Sequence, residues 1–351
     1  MRAQLIPLSE VDASTVGEWR ALSARATEPN PWFEPHVVLA LADIRQDMAL
    51  LTVRGRDRIR LCLPLIPATQ RWRRVPLPMW MTPHPLGTPL VDTDDTESVL
   101  RCAFTSLAQA RGPRFLKLQE VAAEGAVTTA ITAALGTGWR STTAPPRGIW
   151  PVMRRRPQCT YLEESVSRKQ RHNLRRMRRR LEEQLDDELT LTSCATDEAT
   201  VDRFIRLEAS GWKGREGTAL ACQPGWADYF HKVCRGFDGE GRLHIVSLGS
   251  KSTMVAMKVM VTAGQGLFEL RVAYDETFAR LSPGTLLEVE AIEHFHRGPH
   301  AWVISNTNHG TSPLLKVWPD RCAMISILAE CPGAAKQAVS VLLSRLGVRG
   351  R

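Results

Sequence analysis

The chain has 351 residues, 43% of them hydrophobic and 24% charged, with a formal net charge of +9 at pH 7. These values are typical of a soluble globular protein with one large domain or two ordinary ones, and they exclude a low-complexity chain. Eight Lys or Arg and no acid lie between Arg168 and Arg180, so the surplus charge is local and indicates one anionic partner surface.

The sequence gives no indication of a targeting segment, a membrane span or a metal site. The start, MRAQLIPLSEVDAS, lacks the apolar core of a secretory signal, and no apolar run approaches the roughly 20 residues that span a bilayer. The eight cysteines form no C-x-x-C pair. We therefore expect reduced thiols, no metal site and a cytoplasmic location.

The first half of the chain reads as helices and short strands. Helical spacing of apolar residues predicts helices over about 16–26, 37–42, 96–111 and 125–135. Short apolar runs predict strands at 49–53, 59–66 and 115–118, the first two as a hairpin. Proline-rich residues 72–89 read as extended or irregular, and residues 142–157 read as an irregular connection between domains.

The second half begins with a basic helix over 167–185. Further helices are predicted over 198–210, 226–235, 285–296 and 333–346, and strands over 189–193, 243–248, 254–261, 266–274 and 302–305, with one more before the last helix. Each half gives helices, antiparallel strands, and then a helix and a strand. This order suggests a distant duplication of one unit.

The basic helix has a plausible capping box, in which Ser167 precedes Gln170 by three residues. One narrow apolar stripe follows, formed by Leu174, Met177, Leu181 and Leu185. Cations in the first turns oppose the helix dipole, so we expect an anion to offset them. The predicted phosphate or nucleic-acid ligands are Arg168, Lys169, Arg171, Arg175, Arg176, Arg178 and Arg179. A solvated surface helix with internal ion pairs is the alternative.

A second feature is ARLSPGTLL, Ala279–Leu287, which follows the predicted strand ending at Tyr274. Its Ser-Pro-Gly turn opens an apolar helix and leaves backbone N–H groups at a positive helix end. This geometry binds pyrophosphate, although Ser-Pro also simply starts helices. Arg280 adds a positive charge beside the turn.

A third feature is LEASGWKGREGT, Leu207–Thr218, in which Glu208, Trp212 and Lys213 lie in a glycine-punctuated loop. Glycines let the backbone approach a ligand, and an indole supplies a flat wall. The alternative is a helix that ends at Gly211, with Trp212 packed back onto the core.

Several segments resemble the BioF2-like (CelD-like) acyltransferases of the GNAT superfamily, which are relatives of the Fem peptidyltransferases. They are GWKGREGTAL, AYDETFARLSPGTLL, VWPDR, the basic SRKQRHNLRR and NPWFEP, and the resemblance covers about Trp19 to Leu328. It implies an α/β (α+β) fold of two tandem GNAT-like domains, each a mixed, mostly antiparallel sheet flanked by helices. It also implies a degenerate domain at 1–150, an acyl-donor-binding domain at 151–351, and transfer of an acyl group to an amine.

The resemblance places the pyrophosphate loop at Arg280–Thr285, and one edge of a splayed sheet for the acyl arm at Glu269–Tyr274. The predicted cofactor-binding residues are Arg271, Arg280, Ser282, Gly284, Thr285, Trp212 and Lys213. Relatives often have an acid within the segment that is Ile304–Thr307 here, but this chain has Ser or Asn at that position.

Catalysis requires that the amine lose a proton as it attacks a thioester or ester carbonyl, and that donors stabilise the oxyanion. The candidate bases are Asp275, Glu208, Glu269 and His309. Asp275 also fits a turn-forming role at a strand end. His309 carries an imidazole, which suits proton transfer near neutral pH. Deprotonation through water would need none of them.

Two acyl donors stay open. The loop at Arg280 favours acyl-CoA, bound as a co-substrate and not as a tightly held cofactor, whereas the patch at 154–180 favours aminoacyl-tRNA and an amide ligase. A non-catalytic nucleic-acid-binding protein is the third hypothesis, and it leaves the Gly-Trp-Lys-Gly and Ser-Pro-Gly loops unexplained. We expect an acyltransferase, as a monomer or homodimer, that acts on a small-molecule amine or amino sugar.

Overall fold

The computed structural model describes residues 1–72, 75–110, 112–136, 138–156, 160–306 and 313–332. It divides the chain into a first unit, formed by Met1–Ile149 and the segment that begins at Cys322, and a second unit, Trp150–Arg321. The sequence-based division assigned all of 151–351 to one domain. The segment from Cys322 instead groups with the first unit, because its strand pairs there. The predicted helix at 333–346 lies outside the described residues.

The helices are α1 (Ala13–Ser23), α2 (Pro35–Ala42), α3 (Thr96–Gln109), α4 (Ala126–Leu135), α5 (Tyr161–Ser165), α6 (Arg168–Leu185), α7 (Glu198–Ser210), α8 (Trp212–Arg215), α9 (Trp226–Asp238) and α10 (Pro283–Arg297). Short 3-10 helices lie at Leu8–Glu10, Pro31–Phe33, Leu220–Cys222, Glu276–Leu281 and Pro313–Lys316. Among the helices of the described ranges, none combines the length and apolar character that crossing a membrane requires.

The strands are β1 (Arg2–Pro7), β2 (Ala49–Arg54), β3 (Ile59–Trp72), β4 (Val75–Met81), β5 (Leu90–Val91), β6 (Phe115–Ala122), β7 (Arg140–Arg154), β8 (Thr190–Ser193), β9 (Leu243–Gly249), β10 (Met254–Ala263), β11 (Gly266–Tyr274), β12 (Trp302–Ser305) and β13 (Asp320–Glu330). The hairpin predicted at 49–66 is confirmed as β2 and β3, and β11, β12 and α7 have the predicted bounds.

The two units repeat one strand topology. In the first unit β1, β2, β3 and β4 pair antiparallel in that order, and β4 then pairs parallel with β6. In the second unit β8, β9, β10 and β11 pair antiparallel, and β11 pairs parallel with β12. A helix connects each parallel pair, α3 in one unit and α10 in the other. The prediction of two tandem, mostly antiparallel GNAT-like domains is confirmed.

The strand next to each parallel pair comes from elsewhere in the chain. In the first unit β13 pairs antiparallel with β6, and in the second unit Val152, Met153 and Arg154 of β7 pair antiparallel with β12. The predicted irregular structure at 142–157 is wrong, since most of this segment is strand, although the boundary between the two units does fall within it. The φ angle of proline suits extended backbone, and strand pairing supplies the rest.

The basic helix α6 packs its apolar stripe onto the core of the second unit, as predicted. Leu174 and Leu181 are buried there, and Met177 and Leu185 pack against the same core. Ser167 caps the helix, because its side chain accepts a hydrogen bond from the Gln170 backbone N–H at 3.3 Å. This half of the predicted capping box is confirmed.

Gly266 holds the two parallel strands of the second unit in register. A Cβ at this position would lie 2.4 Å from three ring atoms of Trp302, the residue paired with it on β12. We expect Gly266→Ala to lower the free energy of unfolding by about 1–3 kcal/mol, because the Trp302 ring must move. The urea unfolding midpoint measures this loss.

Gly17→Ala is the control for the substitution itself. Gly17 lies inside α1 with no atom within 4 Å of a built Cβ, so alanine should raise stability by up to about 1 kcal/mol. Equal effects of the two substitutions would contradict the packing argument.

Candidate acyl-transfer site

Two neighbouring parallel strands of the second unit, β11 and β12, pair along only the first part of β11. β11 pairs with β12 from Gly266↔Trp302 to Glu269↔Ser305 and then continues without it to Tyr274. On the other side of β11, Glu269 pairs with Met260 and Arg271 with Val259, so Leu270 is the extra residue of a β-bulge. The ladder is therefore interrupted on both sides of β11 at the same place, beside Leu270.

A buried group of charges lies where the pairing of β11 with β12 ends. Lys258 Nζ lies 3.0 Å from Glu269 Oε2 and 2.6 Å from Glu288 Oε2, and all three side chains are buried. The Ser305 hydroxyl donates to Glu269 Oε1 at 2.8 Å. The ring of Trp318 has its centre 4.8 Å from Lys258 Nζ. The end of the β11–β12 pairing is thus fixed by charged and polar contacts.

Two carboxylates and one ammonium give this group one negative charge in excess. Burial raises the pKa of Glu288 to about 7, and although Lys258 opposes the rise, Glu269 adds to it. Burial acts to lower the pKa of Lys258, but the two carboxylates outweigh it and raise the pKa above its ordinary value. The ammonium therefore stays charged, and Glu288 takes up a proton near neutral pH.

The segment predicted to be a pyrophosphate loop contains the start of α10. Ser282 adopts left-handed backbone angles, φ 53° and ψ 53°, directly before Pro283 opens α10. Proline has no N–H, so the first donors of the helix are Gly284 and Thr285, which have no intrahelical acceptor. A Cβ at Gly284 would lie 3.4 Å from the ring of Tyr274, so the turn rests on the last residue of β11.

The two units differ in the charge at this helix N-terminus. In the first unit α3 begins after Asp94 and Asp95 and carries Glu97 in its first turn. In the second unit α10 has no acid in its first turn, and Arg280 lies in the last turn of the 3-10 helix that leads into it. A helix N-terminus attracts anions when carboxylates do not already occupy it. Of the two equivalent helix starts, that of α10 suits a phosphate.

Three of the predicted site residues contact one another: Glu208 at the end of α7, Lys213 on α8 and Arg271 on β11. The buried Glu208 carboxylate accepts through Oε1 from Lys213 Nζ at 2.8 Å and from Arg271 Nη1 at 2.7 Å. Its Oε2 accepts from the backbone N–H of Leu220 at 2.9 Å. Lys213 Nζ also donates to the Val272 carbonyl of β11 at 3.2 Å. The loop is therefore fastened to β11 beside the bulge.

These contacts define the charge state of Glu208. Burial acts to raise its pKa, but Arg271 and Lys213 and the hydrogen bond from Leu220 outweigh burial, so the pKa lies below its ordinary value. A carboxylate that is saturated with donors is a weak proton acceptor. The geometry therefore favours Glu208 as the residue that positions Lys213 and Arg271, and its predicted role as a base stays a prediction.

The Gly-Trp-Lys-Gly segment has a steric reason for its second glycine. A Cβ at Gly214 would lie 1.8 Å from the carbonyl oxygen of Ala209, so α8 can fold back on α7 only with glycine there. Glu276 holds the other end of the segment, since it accepts from the Trp212 N–H at 2.7 Å and pairs with Arg215. Trp212 itself is 41% exposed, so the alternative of an indole packed on the core is wrong.

The other two candidate bases have different positions. Asp275 caps the 3-10 helix that follows β11, because its Oδ1 accepts from the N–H and the hydroxyl of Thr277 at 2.9 and 2.7 Å. This is the turn-forming role considered for it. His309 lies outside the described residues. Glu269 is the candidate base that lies in the last pair of β11 with β12.

The cations of α6 fall into two groups. Arg178 is held within the unit, since it contacts Glu182 at 3.0 Å, pairs with Glu290 and donates to the Leu189 carbonyl at 2.7 Å. These contacts match the alternative of internal ion pairs. The exposed cations of the helix are Arg168, Lys169, Arg175, Arg176, Arg179 and Arg180. Arg171 is partly buried, 4.0 Å from Glu163.

Sequence reasoning missed Lys258 and Glu288. One signal was present: Lys258 interrupts the apolar run of MVAMKVMV, where a lysine needs a buried partner. Glu288 on α10 gave no comparable signal, because its helix carries other acids that are exposed or half-buried.

The second unit is similar in sequence to a known domain family, and the whole chain is similar in fold to solved structures. The sequence model of the acetyltransferase (GNAT) domain matches residues 168–303. The fold is similar to the crystal structure of FemX, with a TM-score of 0.63 and 10% identity over 98% of this chain and 100% of that one. No curated protein matches the chain in sequence.

Two lysylphosphatidylglycerol synthetase structures have the same fold. The C-terminal domain of a putative enzyme from Agrobacterium fabrum gives a TM-score of 0.57 at 13% identity, over 97% of this chain and 99% of that one. L-PGS from Bacillus licheniformis gives 0.54 at 13% identity, over 97% and 98%. At these identities the likeness concerns the fold.

The buried charge group predicts a pH dependence of stability. The pKa of Glu288 is about 7 in the folded protein against 4.5 for an ordinary glutamate, so the folded state holds more protons between these values. Stability should therefore fall as the pH rises through this window. Glu288→Gln keeps the shape and removes the titration. The urea midpoint of the wild type should fall more steeply between about pH 5 and 8 than that of the variant, and equal slopes would contradict the assignment.

Proposed function

Because residues 168–303 form a GNAT acyltransferase domain within a Fem-like fold, we propose that this protein moves an acyl group from acyl-CoA to the amine of a small molecule. The observation that carries this proposal is the N-terminus of α10. It combines free first-turn N–H groups with the nearby Arg280, and it rests on Tyr274 at the end of β11. This is the arrangement that a pyrophosphate requires.

The part of β11 that continues beyond β12 suits the acyl arm of such a donor. With the pyrophosphate at α10, an extended arm would run back along β11 toward the bulge at Leu270. Backbone N–H groups at an interrupted ladder are available to the carbonyl oxygen of the thioester, and they would stabilise the oxyanion as the amine attacks. The C–N bond forms, the C–S bond breaks, and the sulfur leaves as the CoA thiol.

The amine proton needs an acceptor in this scheme, and Glu269 is the residue that we propose. Its carboxylate lies at the last pair of β11 with β12 and is held by Ser305 and Lys258. Water between Glu269 and the amine would carry the proton, because the carboxylate itself is buried.

The difference between the two helix starts supplies a test of the donor. Gly284→Glu places an acid at the second position of α10, the position that Glu97 holds in α3. A carboxylate there favours the helix but repels a pyrophosphate. We expect unchanged or higher thermal stability, with acetyl-CoA affinity reduced by about tenfold or more in calorimetry.

Arg280→Gln is the companion variant, which removes a charge and leaves the helix start unchanged. It should weaken acetyl-CoA binding in the same direction. A wild-type protein without affinity for acetyl-CoA, or a Gly284→Glu variant that binds it as well as the wild type, would overturn the proposal.

The exposed face of α6 supports a second candidate, an aminoacyl-tRNA-dependent amide ligase. Six exposed cations are more than one pyrophosphate needs, and the acids of the helix, Glu182 and Glu183, lie only at its far end. Such a face fits the backbone of a nucleic acid, where each neutralised phosphate steepens the salt dependence of binding.

Charge removal on this face tests the second candidate. If the donor is a charged tRNA, replacing Arg168, Lys169, Arg175 and Arg179 by Gln should lower RNA affinity and reduce the salt slope by about one for each lost contact. Arg235→Gln, a surface change on α9, is the matched control. Absence of RNA from the purified protein, together with no RNA binding at low salt, would exclude this donor.

A further inference from the structure

Lys213 and Arg271 form a cationic pair that one buried carboxylate holds in place. Both contact Glu208 Oε1, and the side chain of Glu208 is 1% exposed, whereas those of Lys213 and Arg271 are 23% and 30% exposed. One carboxylate cannot neutralise two cations, so the pair carries one positive charge in excess. The charges are also fixed in position, because a saturated, buried partner limits where they can point.

Within the described part of the chain, the pair keeps hydrogen-bond donors without a partner. Lys213 Nζ donates to Glu208 and to the Val272 carbonyl, and one nitrogen of Arg271 donates to Glu208. A guanidinium has five N–H groups in a planar fork that matches a carboxylate or a phosphate. The half-exposed ring of Trp212, 6.0 Å from Lys213 Nζ, forms a flat wall beside the pair.

The position of the pair separates it from the donor phosphates. Arg271 precedes Tyr274 by three residues on β11, which is about 10 Å along a strand, and Tyr274 is the residue beneath the start of α10. The pair therefore lies further back along β11 than the start of α10. The predicted role of Arg271 and Lys213 in binding the cofactor stays a prediction.

The bulge directs Arg271 to a different helix from Glu269. Residues two apart on a strand ordinarily face the same way. Here Glu269 contacts Lys258, which reaches Glu288 on α10, whereas Arg271 contacts Glu208 on α7. The extra residue Leu270 accounts for the change, and it places the cationic pair beside the transfer point on the α7 side.

We propose that Lys213 and Arg271 bind a carboxylate or phosphate group of the amine acceptor, so that the acceptor is a small anionic amine such as an amino acid or an amino sugar phosphate. This inference rests on the proposed function. The charge pair fixes one end of the acceptor, Trp212 covers it, and the amine reaches the thioester near Leu270. Since Gly214 and Glu276 hold the loop in place, the site is formed before the acceptor binds.

The test is an anion titration of the full-length protein followed by nitrogen-15 NMR of the tryptophan indoles. The Trp212 signal is assigned by its loss in Trp212→Phe. Sodium acetate and sodium phosphate are the probes, and sodium chloride at equal ionic strength is the blank. We expect a saturable shift with one or both probes, and about tenfold weaker binding in Arg271→Gln and Lys213→Met. The response to acetate or to phosphate identifies the anionic group of the acceptor.

Two further variants keep the test decisive. Arg271→Gln leaves the buried Glu208 with one cation fewer, so Arg271→Lys, which keeps the charge but loses the fork, is measured beside it and should bind with intermediate affinity. Arg235→Gln is the surface control and should bind as the wild type does. Thermal unfolding of each variant shows whether it is folded.

A second titration in the presence of acetyl-CoA separates the acceptor site from the donor site. The anion should still bind when acetyl-CoA is saturating. Displacement of the anion by acetyl-CoA, no saturable shift with either probe, or equal affinity in Arg271→Gln and the wild type would each overturn the inference. Failure of the proposed function has a different signature, namely no acetyl-CoA affinity with the anion titration unchanged.

Discussion

The second unit depends on the point at which β11 and β12 stop pairing. Hydrogen bonding between them ends at Glu269 and Ser305, and the bulge at Leu270 interrupts the opposite ladder at the same place. Strand backbone that continues beyond the end of a ladder must find other partners. The buried contacts of Lys258 fix the place where the pairing ends, and Lys213 of α8 donates to the Val272 carbonyl further along β11.

The two units share a strand topology but differ in the few residues that decide whether a helix N-terminus attracts an anion. Both have four antiparallel strands, a connecting helix and a parallel strand in the same order, yet the connecting helices begin with opposite charge. Asp94, Asp95 and Glu97 neutralise the positive end of α3, whereas α10 keeps its end available. A domain can keep its hydrophobic core while a few acids remove its affinity for anions, because the core and the site use different residues.

The elements that local sequence determines were predictable, and those that depend on distant pairing were not. The stripe of Leu174 and Leu181, and the Ser-Pro-Gly start of α10, are local signals, and both appear in the structure as predicted. The strand character of β7 depends on β12, far along the chain, so prolines alone gave a wrong reading. The pairing of Glu208 with Arg271 is equally non-local, so no signal in the sequence indicated that this carboxylate accepts from a cation on a distant strand.

The strand that pairs with β6 in the first unit is synthesised late, after the second unit. β6 of the first unit is covered on its outer side by β13, which the ribosome makes only after the entire second unit. Until then the first unit has an open sheet edge at Phe115–Ala122, with unpaired backbone that can attract other strands. A nascent chain that stalls before Asp320 would therefore expose this edge to aggregation, even though all other strands of the first unit are already present.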